Sequence, residues 1–172
     1  MSPFSDPRLQ TLDGFRVEIE IEFDNPLIGR QGIALDVEPT AFRREVARAR
    51  TFGFMRDVSK LWSAGYALGA TFDNTLVVTD NRILNQDGLR FADEFVRHKA
   101  LDAIGDLALA GAPLLGVYRS VRGGHKLNHA VISALMADPT AWTVVETGGT
   151  ARRPRARARA LLAAPSLLPD VP

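Results

Sequence analysis

The chain has 172 residues, enough for one good-sized domain, with 46% hydrophobic residues, 24% charged residues and a formal net charge of +1. Nothing in this near-neutral balance indicates a nucleic acid or a membrane as the main partner. There is no cysteine, which excludes disulfides and thiolate metal sites, and no apolar run approaches the roughly 20 residues of a membrane span. The N-terminal residues lack the pattern of a signal peptide, and we expect a cytoplasmic protein.

The first third of the chain predicts a β-hairpin and a helix. Its residues FRVEIEIEF alternate apolar and charged side chains, which is the period of a half-buried strand. Asp24-Asn25-Pro26 then indicate a turn, after which a second strand pairs with the first. The predicted elements are a lead-in at 1–12, strands at 15–23 and 32–39, and a helix from an N-cap at Thr40 to about Arg50.

The remainder of the chain predicts two long helices among short strands. The first long helix has apolar residues at helical spacing from Phe95 onward and stops before Gly111 and Pro113. In chain order the predicted elements are a loop and short helix at 51–64, a strand at 75–79, a short strand with a turn at Asp87-Gly88, the long helix to about Ala110, a strand at 114–121, a helix at 125–137 and a last strand at 141–146.

This order of elements predicts an α+β fold. We expect a single domain at 13–147, with helices packed on one face of a mostly antiparallel sheet and a small inserted helix and strand unit at about 53–79. From 148 to 172 the chain is rich in Arg, Ala and Pro, a composition typical of a disordered tail. A basic patch attracted to phosphates or anionic lipid is the alternative interpretation of this tail.

The stretch EFVRHKALDAIGD contains the first candidate for chemistry. His98, Asp102 and Asp106 follow one another at intervals of four residues, so on a helix they project from about the same side. An imidazole and a carboxylate one turn apart can reach the same divalent ion, and a site without thiolates suits catalytic zinc. Asp106 is placed to orient a group near the metal. The alternative is a surface or capping pair without a metal.

A second candidate is His125 in RGGHKLN. The two glycines before it let the backbone approach a ligand closely, and His125 opens the following helix. It could act as a general acid, or as a cation beside an oxyanion, if a carboxylate such as Asp106 keeps it protonated. The alternative is a helix-start histidine without a role. For His129, one turn further on, we expect a surface or packing residue.

A third candidate is the stretch ARTFGFMRD. Thr51 could offer its hydroxyl to an oxyanion, and Phe52 and Phe54 could stack on a ring. The pattern alone favours a place in the core for these two aromatic residues.

Together, ARTFGFMRD, GLRFADEFVRHKALDAIGDL and RGGHKLN, in this order, resemble one family. It is the UDP-3-O-acyl-N-acetylglucosamine deacetylases of lipid A biosynthesis, and the resemblance runs from about Gly14 to Glu146. The resemblance implies a hydrolase that removes the N-acetyl group from a UDP-linked, 3-O-acylated glucosamine, using a catalytic Zn²⁺ and a bound water.

The resemblance also implies roles for individual residues. His98 and Asp102 match two of the three zinc ligands of the family. His125 matches the catalytic histidine that serves as general acid or electrostatic stabiliser, and Asp106 matches the aspartate that supports it. Thr51 matches the threonine that helps to hold the oxyanion.

Further matches concern the substrate. Phe52, Lys99 and Arg122 match positions near the uridine and diphosphate, where a ring to stack on and fixed cations are physically reasonable. The region 53–79 matches an insert that forms a narrow apolar passage for the fatty acyl chain. The apolar residues that suit this passage are Val58, Leu61, Ala67, Leu68, Ala70 and Leu76.

One feature of the family has no counterpart in this sequence. Family members have two domains of similar fold with the active site between them, and the first domain supplies the third zinc histidine and a neighbouring glutamate as general base. No histidine precedes His98 in this chain, so the resemblance is to the second domain only. Catalytic zinc needs three protein ligands and a base. We therefore expect a truncated chain that is active only with a separate first-domain chain.

The sequence is consistent with two other hypotheses about function. The chain could be a non-catalytic module that binds a nucleotide-sugar or an acyl chain, which Lys99, Arg122 and the apolar insert favour. It could also be an inactive relic that exposes an apolar face prone to self-association. The expected partners are UDP-3-O-acyl-N-acetylglucosamine and a first-domain chain, with no nucleic acid and no membrane span.

Overall fold

A computed structural model describes residues 14–146 of the chain, so the predicted lead-in at 1–12 and tail at 148–172 lie outside the described residues. No helix in this part of the chain is long and apolar enough to cross a membrane. The strands are β1 (Phe15–Glu22), β2 (Arg30–Asp36), β3 (Thr51–Phe54), β4 (Thr75–Val78) and β5 (Gly116–Val121). The α-helices are α1 (Pro39–Ala41), α2 (Val58–Ser63), α3 (Glu94–Leu107) and α4 (His125–Ala137).

The larger sheet has three strands in the order β2-β1-β5. The predicted hairpin is confirmed, since β1 and β2 pair antiparallel with Ile19 opposite Ile33. Strand β5 joins the other edge of β1 and runs parallel to it, with Ile19 opposite Ser120. The sheet is therefore mixed, with one antiparallel and one parallel pairing, where a mostly antiparallel sheet was expected. The predicted α+β class is confirmed.

One face of this sheet forms the core. The alternation in β1 buries Val17, Ile19 and Ile21 to 3% exposure or less, and these side chains belong to the same apolar cluster as Phe95 and Ala100 of α3. The opposite face carries charged side chains held in ion pairs, such as Arg119 with Glu18 at 2.7 Å. Helix α3 thus lies on the apolar face, and its other side is left for chemistry.

A second sheet has two strands, β3 and β4, which pair parallel. A loop was predicted at the position of β3, and this prediction was wrong. The strand forms because Phe52 packs edge-to-face on Phe23 and Phe95, with ring centroids 5.4 and 5.0 Å apart. This stabilisation comes from tertiary packing, which the short sequence TFGF does not reveal.

The helix predicted at 40–50 is shorter than expected. Pro39, and not Thr40, begins it, and a π-helical turn at Phe42–Val46 ends it. The chain leaves the helix before Arg50 because the backbone N–H of Arg50 donates to the side chain of Glu94 at 3.0 Å.

Two further predicted strands do not form. At 81–90 the only pairing is a single bridge between Val78 and Ile83, because the side chain of Asn85 takes the backbone N–H of Val77 at 3.0 Å. Residues 141–146 form no strand, and Val144 and Val145 are 77% and 60% exposed. Their apolar side chains therefore lack the packing that favours a strand.

Candidate metal and acid–base site

Helix α3 presents the candidate side chains of EFVRHKALDAIGD on one side, as the spacing predicts. His98 and Asp102, one turn apart, approach to 3.3 Å between Nε2 and Oδ1. Their side chains are 13% and 12% exposed, so both groups lie at the edge of the core. Lys99 lies on the same turn and donates from Nζ to Asp102 Oδ2 at 2.9 Å.

The ring of His98 is held by the backbone of the segment before β3. Its Nδ1 lies 3.3 Å from the carbonyl oxygen of Ala49. A carbonyl only accepts, so this contact places the proton of the neutral ring on Nδ1 and leaves Nε2 with a lone pair. Burial lowers the pKa of His98, which favours the neutral ring.

This arrangement fits a metal ion. The lone pair of His98 Nε2 faces Asp102 Oδ1, and two acceptors at 3.3 Å repel each other unless a cation lies between them. Zinc bonds of about 2.0–2.1 Å in a tetrahedral site separate neighbouring ligand atoms by about 3.3 Å, the same distance. Within residues 14–146, no group of three or more His, Cys, Asp or Glu side chains is arranged to hold a metal ion. From the distance between them, His98 and Asp102 could supply two of the ligands that such an ion needs.

His125 lies beside these two groups, at the first position of α4. Its Nδ1 is 2.8 Å from Asp106 Oδ2, and its Nε2 is 3.7 Å from Asp102 Oδ2. The His125 side chain is 59% exposed, whereas that of Asp106 is 13% exposed. One ring nitrogen thus contacts a carboxylate and the other faces the pair on α3, where an incoming molecule could reach it.

Asp106 has two further partners that the sequence analysis did not assign to the site. Asn128 Nδ2 donates to Asp106 Oδ2 at 2.8 Å, and His129 Nε2 lies 3.3 Å from Asp106 Oδ1. Burial raises the pKa of Asp106, but the hydrogen bonds from Asn128 and His125 outweigh burial and hold the pKa below its usual value. His129, expected as a surface or packing residue, is 52% exposed and contacts this carboxylate. The HxxNH spacing on a helix was the signal that could have indicated both contacts.

Phe52 connects the inserted unit to the site. Its ring lies edge-on to His98 at 6.3 Å between centroids, and Lys99 Nζ is 5.6 Å from its ring centroid. It also packs on Phe95, so the expected place in the core is met in part, and its place near a ligand stays a prediction. Thr51 precedes Phe52 at the exposed start of β3.

A buried ion pair supports this region, and the sequence analysis missed it. Arg50 Nε lies 2.9 Å from Glu94 Oε1, and the two side chains are 1% and 0% exposed. Arg50 also donates to Asp87 Oδ2 at 2.9 Å and to the Gly88 carbonyl at 2.6 Å. The pair ties the residue before Thr51 to the first turn of α3. A glutamate directly before the apolar Phe95 and Val96 at the start of a helix was the available signal.

The other predicted substrate residues lie elsewhere on the fold. Arg122, with a positive φ of 53°, follows β5 and lies 3.5 Å from Glu22 Oε2 through its Nη1. Val58 is half-buried at the start of α2, and Ala70 is exposed in the loop before β4. Leu68, in the same loop, is 76% exposed. No described contact joins these residues to His98 or His125.

The sequence pattern of one protein family, described as UDP-3-O-acyl N-acetylglycosamine deacetylase, matches residues 7–137 of this chain. Two similar curated proteins, from Brucella ovis and Brucella canis, are named UDP-3-O-acyl-N-acetylglucosamine deacetylase. Each is 60% identical over 135 residues, a match that covers 78% of this chain and 47% of the relative. The chain thus spans about half the length of the curated relatives it matches. The chain belongs to this deacetylase family.

Proposed function

We propose that this member of the UDP-3-O-acyl N-acetylglycosamine deacetylase family carries the C-terminal half of a zinc-dependent active site. The reaction would be hydrolysis of the N-acetyl group of UDP-3-O-acyl-N-acetylglucosamine in lipid A biosynthesis, in the cytoplasm. The names of the Brucella relatives, 60% identical to this chain, support the substrate. The proposal assigns the domain to 13–147, with the insert at about 53–79.

The observation that carries the proposal is the convergence of two side-chain pairs from different helices. The first pair is His98 with Asp102, both on α3. The second pair is His125 on α4 with Asp106 on α3. The two pairs meet where His125 Nε2 lies 3.7 Å from Asp102 Oδ2. An imidazole and carboxylate suited to zinc therefore lie beside an imidazole supported by a carboxylate. Hydrolysis of an amide needs both functions at one place.

His98 Nε2 and Asp102 Oδ1 would hold the zinc. When bound, the metal polarises a carbonyl oxygen and lowers the pKa of a bound water, which supplies the nucleophile for amide hydrolysis. The Ala49 carbonyl keeps the His98 lone pair directed at the ligand position. The third ligand and the general base would come from the half of the relatives that this chain does not match, on the same or another polypeptide.

His125 would act on the leaving group. With Nδ1–H retained by Asp106, the protonated ring can donate the proton on Nε2 to the sugar nitrogen as the C–N bond breaks. Acetate and the free amine are then the products. Thr51, at the exposed start of β3, would donate its hydroxyl to the oxyanion that develops on the acetyl carbonyl.

The remaining roles concern binding. Lys99 Nζ lies 5.6 Å from the centroid of the Phe52 ring. These two residues would contact the uridine and diphosphate, with Arg122 as a further cation. Val58 and Ala70 would line the path of the acyl chain, together with Leu61, Ala67 and Leu68. Leu76, also predicted for this passage, is instead 0% exposed and belongs to the apolar core. The exposure of Leu68 supports a ligand or partner that covers it.

The test is reconstitution. This chain is mixed with Zn²⁺ and a polypeptide corresponding to the first half of the Brucella ovis relative, and acetate release from UDP-3-O-acyl-N-acetylglucosamine is measured. We expect turnover by the mixture, little by either part alone, and a loss of about 10²–10⁴-fold on His125→Ala. The control Arg44→Ala changes a side chain that is 75% exposed, and should retain the rate.

Three results would count against the proposal. Turnover by this chain alone at the rate of the mixture would contradict the half-site. If the mixture and the single chain both fail to release acetate but bind the substrate without zinc, the binding module becomes the better explanation. If neither turnover nor binding is found, the inactive relic becomes the better explanation.

A further inference from the structure

A chain of hydrogen bonds leads from the sheet to His125. The Tyr118 hydroxyl on β5 donates to Asn128 Oδ1 at 2.6 Å, and Asn128 Nδ2 donates to Asp106 Oδ2 at 2.8 Å. His125 Nδ1 lies 2.8 Å from the same oxygen, Asp106 Oδ2. Strand β5 is thereby linked to α4 at Asn128, and α4 is linked to α3 at one carboxylate oxygen of Asp106.

The chemistry of the groups fixes the direction of this chain. An ionised carboxylate only accepts, so the amide of Asn128 must direct its NH₂ group at Asp106. Its carbonyl oxygen then faces Tyr118, which must donate. If the Tyr118 hydroxyl is removed, nothing in this chain of bonds holds the carbonyl end of the amide, and the amide gains freedom to turn.

The series of hydrogen bonds is buried at Asn128 and open to solvent at His125. Asn128 is 3% exposed, and Tyr118 is half-buried opposite Val17 in the parallel ladder. The His125 side chain is 59% exposed. An exposed ring has several rotamers, and fixing it costs side-chain entropy. The fixed acceptor at Asp106 Oδ2 supplies the interaction that selects one rotamer and one tautomer.

We propose that Asn128 and Tyr118 are positioning residues, which orient the Asp106 carboxylate and through it hold His125 with its proton on Nδ1. The use of His125 in catalysis rests on the proposed function, whereas the orientation of the ring does not. The hydrogen bonds to Asp106 also keep its pKa low, so it remains the acceptor that this arrangement requires.

The test reads the tautomer of His125 directly. The full chain is labelled with ¹⁵N, and two-bond ¹⁵N–¹H correlations of the histidine rings are recorded at about pH 8, where an ordinary imidazole is neutral. Asn128→Leu removes the amide at similar volume, and Tyr118→Phe removes only the hydroxyl. Val117→Ala, a neighbouring change on β5 at a side chain that is 48% exposed, is the control. His98, held by Ala49, is the internal reference.

In the wild-type chain we expect the Nδ1–H form of His125 to dominate. Its ratio to the Nε2–H form should fall about tenfold in Asn128→Leu, and by a smaller factor in Tyr118→Phe. The double variant should fall no further than Asn128→Leu, because the two residues act in series. The His98 signals and the control should not change.

Urea unfolding distinguishes a positioning role of Asn128 and Tyr118 from a purely structural one. The double variant replaces both polar partners with apolar groups, so it should be more stable than Asn128→Leu while the His125 tautomer stays altered. A wild-type tautomer ratio in the folded Tyr118→Phe and Asn128→Leu chains would overturn the proposal. The proposal would also be overturned if the His125 tautomer ratio of the double variant returned to the wild-type value together with its stability. Neither result depends on deacetylation, so the proposed function is tested separately.

Discussion

Arg50 and Glu94 form a buried pair, with Nε 2.9 Å from Oε1 and side chains that are 1% and 0% exposed. The pair connects the residue between Ala49 and Thr51 to the helix that carries His98 one turn later. The Ala49 carbonyl, next to Arg50 in the chain, contacts His98 Nδ1 at 3.3 Å. A charge pair inside the core is thus linked, through Ala49, to a ring of the candidate site.

Removal of one partner of this pair should destabilise the fold strongly. Glu94→Leu leaves the Arg50 guanidinium buried without its main partner, which costs about 3–5 kcal/mol of the free energy of unfolding. Urea unfolding followed by circular dichroism measures this. The control is Arg30→Gln, at an ion pair with Glu20 in which Arg30 is 64% exposed, and it should leave the unfolding midpoint nearly unchanged. Equal effects of the two changes would refute the structural importance of the buried pair.

The same pair should make stability depend on acid. Burial raises the pKa of Glu94, but hydrogen bonds from Arg50 and Arg90 outweigh it and lower the pKa below 4.5. The unfolded chain then binds more protons than the folded one in acid. The contribution of Glu94 is therefore complete above about pH 4.5 and is lost as the pH falls through the folded-state pKa. Urea midpoints measured between about pH 3 and pH 7 should show this decline, and a variant with Arg50→Met and Glu94→Met should show a shallower one. Parallel pH curves for the two chains would contradict it.

Zinc should perturb the His98 ring through Nε2. With two ligands from this chain we expect weak binding, seen as a shift or broadening of the His98 Nε2 signal during a Zn²⁺ titration. Asp102→Asn should weaken this response by at least about tenfold, since even residues that only support a ligand contribute 10–100-fold. Asp106→Asn, which changes the partner of His125 and not a ligand, should leave it within about twofold. An undiminished response in Asp102→Asn would remove Asp102 from the proposed ligands.

Gly123 should be sensitive to a methyl group. A Cβ built there would lie 2.0 Å from Ser120 Oγ, so Gly123→Ala requires the serine side chain to rotate or the loop to shift. We expect a loss of about 1 kcal/mol in the free energy of unfolding, the cost of an unfavourable rotamer. Ser120→Ala removes the clashing oxygen and leaves its Cβ at an ordinary 3.4 Å, so Gly123→Ala should cost little in that background. The double-mutant cycle measures the difference, and additive costs would disprove the clash.

The spacing of apolar residues and the positions of glycine and proline predicted the long elements well. Helix α4 begins at His125 after two glycines and ends at Ala137 as predicted, and α3 stops before Gly111, whose φ is 80°. These signals are local, since they depend on residues a few positions apart. The alternation in β1 was equally clear, because one face of that strand is buried and the other is charged.

What the sequence did not reveal depends on distant contacts. Strand β3 exists because Phe52 meets Phe23 and Phe95, and the helix after β2 ends early because Arg50 is drawn to Glu94. The spacing of His98 and Asp102 indicated a shared helix face but left the metal and the surface pair as alternatives. The approach of His125 to Asp102, within 3.7 Å, needed the three-dimensional fold.

The parallel pairing of β5 with β1 has a consequence for folding. Phe15 pairs with Gly116, about 100 residues away, whereas the pairing of β1 with β2 spans a short hairpin. Closing so large a loop costs entropy before any contact repays it, and such topologies fold slowly. The β1–β2 hairpin is therefore expected to form first, with one edge of β1 unpaired until β5 pairs with it. Since α4 follows directly after β5, His125 should reach Asp106 only in this last step, and the candidate site would be assembled late.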